Sequence, residues 1–209
     1  MQGDHTIVYN GLLASSVSTI MCYPIDTIKN KLQTAQLVTS KGLFKGLFPD
    51  LIGSVPSTIV FWGVYSEAKS RGLSVFESSV LSGMCSNLVD TPFDLRKKQR
   101  QLNSSTLILP KTMIKFGTVN MIYSMGYNSV YMPLLDYLVN KQGFNKTISI
   151  FTCCTVANTL MYPIDRLRTH LVSPTNTSFL KGLGTRLVYG NLYSGMYMHI
   201  FMYLQNNKL

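Results

Sequence analysis

Apolar residues along this chain collect in six long stretches, and polar residues interrupt every one of them. Ser, Thr, Asn and Gly recur inside each stretch, so none has the unbroken run of about 18 apolar residues typical of a helix surrounded by lipid. Such a mixture favours helices with one face on lipid and one face on water. The pattern predicts an all-α membrane protein with six spans, near residues 6–33, 44–69, 76–101, 112–139, 147–171 and 179–204.

A short motif stands near the end of the first, third and fifth spans. It is a proline, an acid two positions later and a base three positions after that: Pro24, Asp26 and Lys29; Pro92, Asp94 and Lys97; Pro163, Asp165 and Arg168. The prolines lie 68 residues (24 to 92) and 71 residues (92 to 163) apart, which indicates structural repeats. Proline bends a helix, whereas an acid and a base three positions apart share one face. The sequence therefore predicts a single domain of three two-helix repeats, residues 1–72, 73–143 and 144–209, each with a kinked helix that ends in paired charges.

The three motifs together resemble the signature of the mitochondrial carrier family, over nearly the whole chain. In that family a Gln follows nine positions after the proline; Gln33 and Gln101 match it, whereas Val172 does not. The resemblance implies six tilted transmembrane helices in threefold pseudo-symmetry, around a cavity that opens alternately to either side of the membrane. The chain resembles a shortened member, because the connection between the first two spans has little room for the surface helix that carriers usually have there.

Within the family, the first repeat looks most like S-adenosylmethionine carriers. The similarity lies in residues 24–33 and in the run Ile52-Gly53-Ser54-Val55-Pro56. In the second repeat, Tyr123 and Ser124 stand where those carriers have an Arg-Glu pair. A nucleotide or cofactor carrier and a non-transporting membrane adaptor derived from a carrier remain alternatives.

Composition agrees with a membrane transporter. Of the 209 residues, 46% are hydrophobic and only 13% are charged, which is too apolar for an ordinary soluble domain. The four cysteines show no metal-binding spacing, the three histidines are scattered, and no catalytic motif is present. We therefore expect reduced packing cysteines, no metal site, no cofactor and no enzymatic activity.

The net charge of +10 is unevenly distributed. Of the 19 Lys and Arg residues, 14 follow the odd spans or begin the even ones, and only five belong to the opposite side. The positive-inside tendency assigns the richer side to the mitochondrial matrix or its equivalent.

A nucleic-acid partner is not expected, because no basic-aromatic RNA-binding motif is present. No presequence precedes the first span, so targeting is expected to be internal.

The resemblance implies a gate on the matrix side. Asp26, Asp94 and Asp165 would form inter-repeat ion pairs with Lys29, Lys97 and Arg168, and Gln33 and Gln101 would brace two of the pairs. Charges inside a membrane are kept where they pair or line water. A static clasp for the helix bundle is the alternative interpretation.

The family's outer gate, an aromatic-acid-x-x-base motif late in each even span, is poorly kept. Glu67 is displaced by one position, Asp136 is followed by no base at the right step, and Met202 replaces the third acid. The sequence therefore predicts a weak outer gate and either uniport or leaky exchange.

The resemblance places one substrate contact on each even helix: Gly53 and Ser54, Tyr123 and Ser124, and Gly190. None is charged, which counts against a small anionic substrate. Asp90 lies one helical turn before Asp94 and is predicted to face the cavity above the gate, where a carboxylate favours a cationic group. Alternatively, Asp90 pairs with Lys97 or caps the kink at Pro92.

The starts of the even spans resemble the family's lipid-binding motif. Lys45 and Gly46, with Gly117 and Gly182 in looser copies, would hold a lipid phosphate such as that of cardiolipin; ordinary interfacial anchoring is the alternative. The expected partners are thus a small-molecule substrate and membrane lipid, with the protein acting as a monomer. The expected location is the mitochondrial inner membrane or that of a related organelle, with the peroxisome as a weaker alternative.

Overall fold

The computed structural model describes residues 2–38, 42–104, 110–174, 178 and 180–206. These residues form six long α-helices, and a π-helical turn at Tyr137–Lys141 extends the fourth. The helices are α1 (Gln2–Gln33), α2 (Leu47–Ser70), α3 (Val75–Gln101), α4 (Pro110–Asp136), α5 (Lys146–Val172) and α6 (Leu183–Asn206). The prediction of an all-α fold with six helices is therefore confirmed.

Side-chain caps begin the helices that open the second and third repeats. The Ser74 hydroxyl accepts from the Glu77 amide at 3.2 Å, and the Glu77 carboxylate accepts from the Ser74 amide at 2.9 Å, which is a complete capping box at the start of α3. The Asn145 side chain accepts from the Thr147 amide at 2.9 Å at the start of α5. Both caps mark the chain's entry into an odd helix.

Two even helices begin later than the sequence predicts, because a glycine turn precedes each of them. Gly46 has φ of 94° and Gly182 has φ of 92°, in the left-handed region where a helix cannot continue. The helices α2 and α6 therefore begin at Leu47 and Leu183. The predicted start of the sixth span, residue 179, lies outside the described residues.

A hydrogen bond from a tyrosine hydroxyl to a backbone carbonyl stabilises each of these two turns. The Tyr23 hydroxyl donates to the Lys45 carbonyl at 2.8 Å, and the Tyr162 hydroxyl donates to the Lys181 carbonyl at 2.6 Å. Each tyrosine directly precedes the proline of its motif, and each carbonyl directly precedes the glycine of its turn. The first and third helix pairs thus share one internal geometry.

The six helices form a closed ring in chain order, with α6 packed against α1. The odd helices α1, α3 and α5 also approach one another, whereas no two even helices come within 8 Å between Cα atoms of the described residues. Close approaches fix the ring: a Cβ added at Gly126 of α4 would lie 2.4 Å from the Met161 Sδ of α5. The odd helices therefore converge at one end of a central space.

Polar residues fill the interior and apolar residues cover the outside. Asn10, Ser18 and Thr27 are completely buried, whereas Met21 and Ile114 are largely exposed. Two helices, α2 and α5, are long and apolar enough to cross a membrane by length and composition, with a mean hydropathy of 1.3. This inverted distribution suits a bundle whose outer surface meets lipid and whose inner surface meets water.

Candidate functional site

A central cavity of about 420 Å³ lies inside the ring, and all six helices contribute to its wall. Charged side chains of the three motifs lie at one end, and Trp62 with Tyr197 lies at the other. This volume falls within the range of small-molecule sites, about 300–1,000 Å³. The cavity can hold one small organic solute.

Three ion pairs close the charged end, and each joins two different odd helices. They are Lys97 with Asp26 at 2.8 Å, Lys29 with Asp165 at 3.5 Å, and Arg168 with Asp94. All six side chains are buried. We call this set the ion-pair ring. Because each pair links a base of one odd helix to an acid of another, the three odd helices are bound into a closed circuit.

Two glutamines brace the ring. The Gln33 amide donates to Asp165 at 3.2 Å, and the Gln101 amide donates to Asp26 at 3.2 Å. Val172 occupies the third position and packs against Leu95 and Phe116 instead. No glutamine of the described residues therefore braces the Arg168–Asp94 pair, as the departure from the motif at Val172 suggests.

The structure adds Asp50 to the ring. Its carboxylate lies 3.0 Å from the Lys97 ammonium, so Lys97 is held between Asp26 of α1 and Asp50 of α2. Sequence reasoning missed Asp50. An acid in the first turn of an otherwise apolar helix was the available signal, since a charge there must pair or line water.

The predicted substrate contacts divide into two groups. Asp90, Tyr123, Ser124 and Gly190 line the cavity. Gly53 instead packs between helices: a Cβ added there would lie 2.5 Å from the Cβ of Phe93. Ser54 donates to the Leu51 carbonyl of its own helix at 3.0 Å. Ser57 and Thr58, further along the helix, supply the lining hydroxyls of α2, because the helix presents that part of its face to the cavity.

Asp90 has no ion pair or hydrogen bond in the part of the chain that the structure describes. Lys97, which the sequence offers as an alternative partner for Asp90, contacts Asp26 and Asp50. Asp90 is half-buried and lines the cavity. Its carboxylate is therefore available to a bound solute.

Two ladders of aromatic rings run along the cavity wall, one on α4 and one on α6. Tyr123, Tyr127 and Tyr131 of α4 stack with centroids 6.1 and 5.5 Å apart. On α6 the ladder is Tyr189, Tyr193, Tyr197 and Phe201, with centroid separations of 5.9, 6.2 and 6.1 Å. The first of these pairs is tilted by 32° and the other two are stacked, and the three tyrosines line the cavity. Sequence reasoning did not single them out, although aromatic residues four positions apart lie on one helix face. The ladders offer flat, polarisable walls to a planar or cationic group.

An aromatic cluster lies at the far end of the cavity, where the sequence predicts a weak outer gate. Trp62 of α2 stacks on Phe201 of α6 at 5.0 Å and donates to the Tyr197 hydroxyl at 2.7 Å, and Met132 of α4 packs against the same cluster. Side chains from all three even helices therefore meet there.

The acids of the outer motif make local contacts. Glu67 pairs with Arg71 at 2.8 Å, one turn away, and Asp136 accepts from Asn140 at 2.7 Å. Among the described residues, no ion pair joins two even helices. Aromatic packing and the Trp62–Tyr197 hydrogen bond therefore join the even helices at the far end.

The residues proposed for lipid binding are not equivalent. Gly46 and Gly182 lie in the turns before α2 and α6, and the Lys45 ammonium donates to Asn103 at 3.2 Å. Gly117 lies inside α4, seven residues beyond its start at Pro110 (110 to 117), where the amides are already used by the helix. The second copy therefore lacks the exposed helix start that phosphate binding needs.

The known proteins to which the chain is similar include several carriers and transporters. No protein-family model matches the chain. It is 34% identical over 104 residues to the probable S-adenosylmethionine carrier 2, chloroplastic, of Arabidopsis thaliana, covering 44% of the chain and 30% of that protein. It is 24% identical over 227 residues to the S-adenosylmethionine mitochondrial carrier protein homolog of Drosophila melanogaster, covering 90% and 80%. It is also 24% identical over 175 residues to the probable mitochondrial adenine nucleotide transporter BTL2 of Arabidopsis thaliana, covering 62% and 41%. The chain spans less than half the length of the two plant relatives.

Proposed function

We propose that the chain is a member of the mitochondrial carrier family and that it moves a small solute across the mitochondrial inner membrane by alternating access. The ion-pair ring is the observation that carries the proposal. It closes one end of a solute-sized cavity with pairs that join separate repeats. Desolvation and attraction nearly cancel in a buried ion pair, so such pairs part and rejoin at little net cost. That balance suits a gate better than a static clasp.

S-adenosylmethionine, or another metabolite with a cationic centre, is the proposed substrate. Relatives named as S-adenosylmethionine carriers support this choice. The carboxylate of Asp90 supports it independently, because a charge inside the bundle that has no partner among the described residues is stabilised by an opposite charge on the solute. The aromatic ladders add surfaces on which a flat base can stack.

An adenine nucleotide or a cofactor is the second candidate. The similarity to a probable adenine nucleotide transporter favours it, and the aromatic ladders suit any purine. Asp90 argues against it, because a carboxylate in the cavity repels the phosphates of a nucleotide. The two candidates therefore differ in the sign of the charge that the cavity receives.

We place the ion-pair ring on the matrix side, where the basic segments collect. In the proposed arrangement the protein acts as a monomer in the inner membrane. A lipid phosphate, such as that of cardiolipin, would sit at the turns of Gly46 and Gly182, near Lys45.

Reconstitution into liposomes tests the proposal. We expect saturable uptake of labelled S-adenosylmethionine into vesicles that contain the purified protein. Because no ion pair closes the outer side among the described residues, uptake should also proceed into vesicles without internal substrate, at a rate within about threefold of that in preloaded vesicles. Initial rates at several external concentrations measure both quantities.

Protein-free vesicles and labelled ATP serve as controls in the same assay. Uptake of ATP but not of S-adenosylmethionine would favour the nucleotide alternative. Uptake of neither would indicate a non-transporting adaptor. Strict dependence on internal substrate would show that the aromatic closure couples influx to efflux as tightly as an ionic gate.

A further inference from the structure

Arg186 is a buried cation of the cavity that lies outside the three pairs of the ion-pair ring. It lies on α6, is 7% exposed and lines the cavity. Its guanidinium lies over the rings of Tyr123 and Tyr189, at 5.5 and 5.7 Å from their centroids, and donates to the Tyr123 hydroxyl. By sequence alone Arg186 counts as one of the basic residues of the matrix side. The structure places its head group inside the bundle.

The nearest acid to Arg186 is already engaged. Asp165 lies 3.7 Å from the Arg186 Nε, but it also contacts Lys29 at 3.5 Å and accepts from Gln33 at 3.2 Å. The Arg186 Nε makes no hydrogen bond within the described part of the chain. A buried guanidinium N–H without an acceptor is costly, and a carboxylate offers it two oxygens in matching geometry.

Arg186 and Asp90 carry opposite charges on opposite walls. In the ring order α1 to α6, the helices α3 and α6 are three positions apart and therefore face each other across the cavity. The cavity thus offers a cation on one wall and an acid on the other, with the aromatic ladder of α4 between α3 and α6 along the ring. A solute that carries both a carboxylate and a cationic centre matches both walls at once.

We infer that Arg186 binds a carboxylate of the carried solute and so sets the specificity of the cavity for zwitterionic molecules. This inference rests on the proposed transport function and refines it. Arginine is suited to the task because its planar fork holds a carboxylate through two parallel hydrogen bonds. The predicted contacts Ser124 and Gly190 carry no charge, which counts against a small anion. Arg186 alters that conclusion, because the cavity then accepts a negative group when a positive group accompanies it.

A pair of probes that differ only by the carboxylate tests the inference. S-adenosylmethionine carries the carboxylate, and its decarboxylated derivative lacks it while retaining the sulfonium, the amine and the base. For Arg186→Gln we expect the apparent affinity for S-adenosylmethionine to fall about 10- to 100-fold, while that for the decarboxylated derivative changes less than about threefold. Concentration dependence of uptake into proteoliposomes gives both values.

Two further variants test whether an effect on uptake comes from carboxylate binding by Arg186. Arg71→Gln removes an exposed arginine that pairs with Glu67 outside the cavity and should leave both affinities unchanged. Arg186→Lys keeps the charge but loses the fork, and should weaken binding of the carboxylate probe selectively, which covers the case in which Arg186→Gln does not fold.

The possible outcomes are distinct. An equal loss for both probes would show that Arg186 supports only the ion-pair ring and would overturn the inference. Unchanged affinity for both would overturn it as well. If the unaltered protein transports neither probe, the proposed function fails first and the inference fails with it.

Discussion

Replacement of Asp94 by Lys is expected to reduce the initial rate of uptake at least about tenfold. Asp94 is the carboxylate partner of Arg168, and both side chains are buried. Loss of one partner of a buried pair costs about 3–5 kcal/mol, and a lysine here adds repulsion between like charges. The closed state should therefore become inaccessible. Uptake by equal amounts of inserted protein in proteoliposomes measures the effect.

The structure shows that Arg168 is the ion-pair partner of Asp94, so the two charges can be exchanged in a double variant. The double variant Asp94→Lys with Arg168→Asp should recover part of the lost rate. Recovery should be incomplete, because an acid at position 168 would lie near Asp165, which Arg168 approaches to 3.7 Å. Glu67→Lys reverses a charge in an exposed pair, with side chains 61% and 72% exposed, and should change little. Full activity of Asp94→Lys alone would rule out the gate assignment.

The second large effect is expected for Asp90→Asn, which keeps the side-chain shape and removes the charge. Asp90 lines the cavity and has no partner among the described residues, so the protein itself loses no ion pair. A cationic solute, however, loses the charge-assisted contact with this carboxylate. We expect the apparent affinity for S-adenosylmethionine to fall about tenfold or more, with the amount of folded protein in the membrane unchanged.

Asp136→Asn is the matched control, because that acid contacts Asn140 at the far end of α4 and lies outside the cavity lining. Its uptake kinetics should equal those of the unaltered protein. Unchanged affinity of Asp90→Asn for every cationic solute tested would assign Asp90 a structural role.

The ring could be anticipated from the sequence because its geometry is local. A proline, an acid and a base at fixed spacing fix which residues share a helix face, and three copies imply three neighbouring faces. The spacing does not determine which base meets which acid. Only the packing of the helices shows that Lys97 of the second repeat reaches Asp26 of the first, while Arg168 of the third reaches Asp94 of the second.

Residues outside the motif were harder to predict. Asp50 and Arg186 belong to no repeat pattern, and their exposure depends on the rotation of α2 and α6 about their axes, which neighbouring helices determine. The same rotation turns Gly53 toward Phe93, while Ser57 and Thr58 face the cavity. Helix starts were misplaced at Gly46 and Gly182 because hydropathy does not report a positive φ.

Movement of the odd helices is the central claim, and a reversible cross-link tests it most directly. The Gln36 side chain, just beyond α1, donates to the carbonyl of Leu102, just beyond α3, at 2.9 Å. A reducible thiol cross-linker would join Gln36→Cys to Asn103→Cys in a transport-competent variant whose four native cysteines are replaced by serine. The proposal predicts that cross-linking abolishes uptake, that reduction restores it, and that the same reagent leaves each single-cysteine variant active. Full uptake by completely cross-linked protein would contradict it, because the ring would then not need to open.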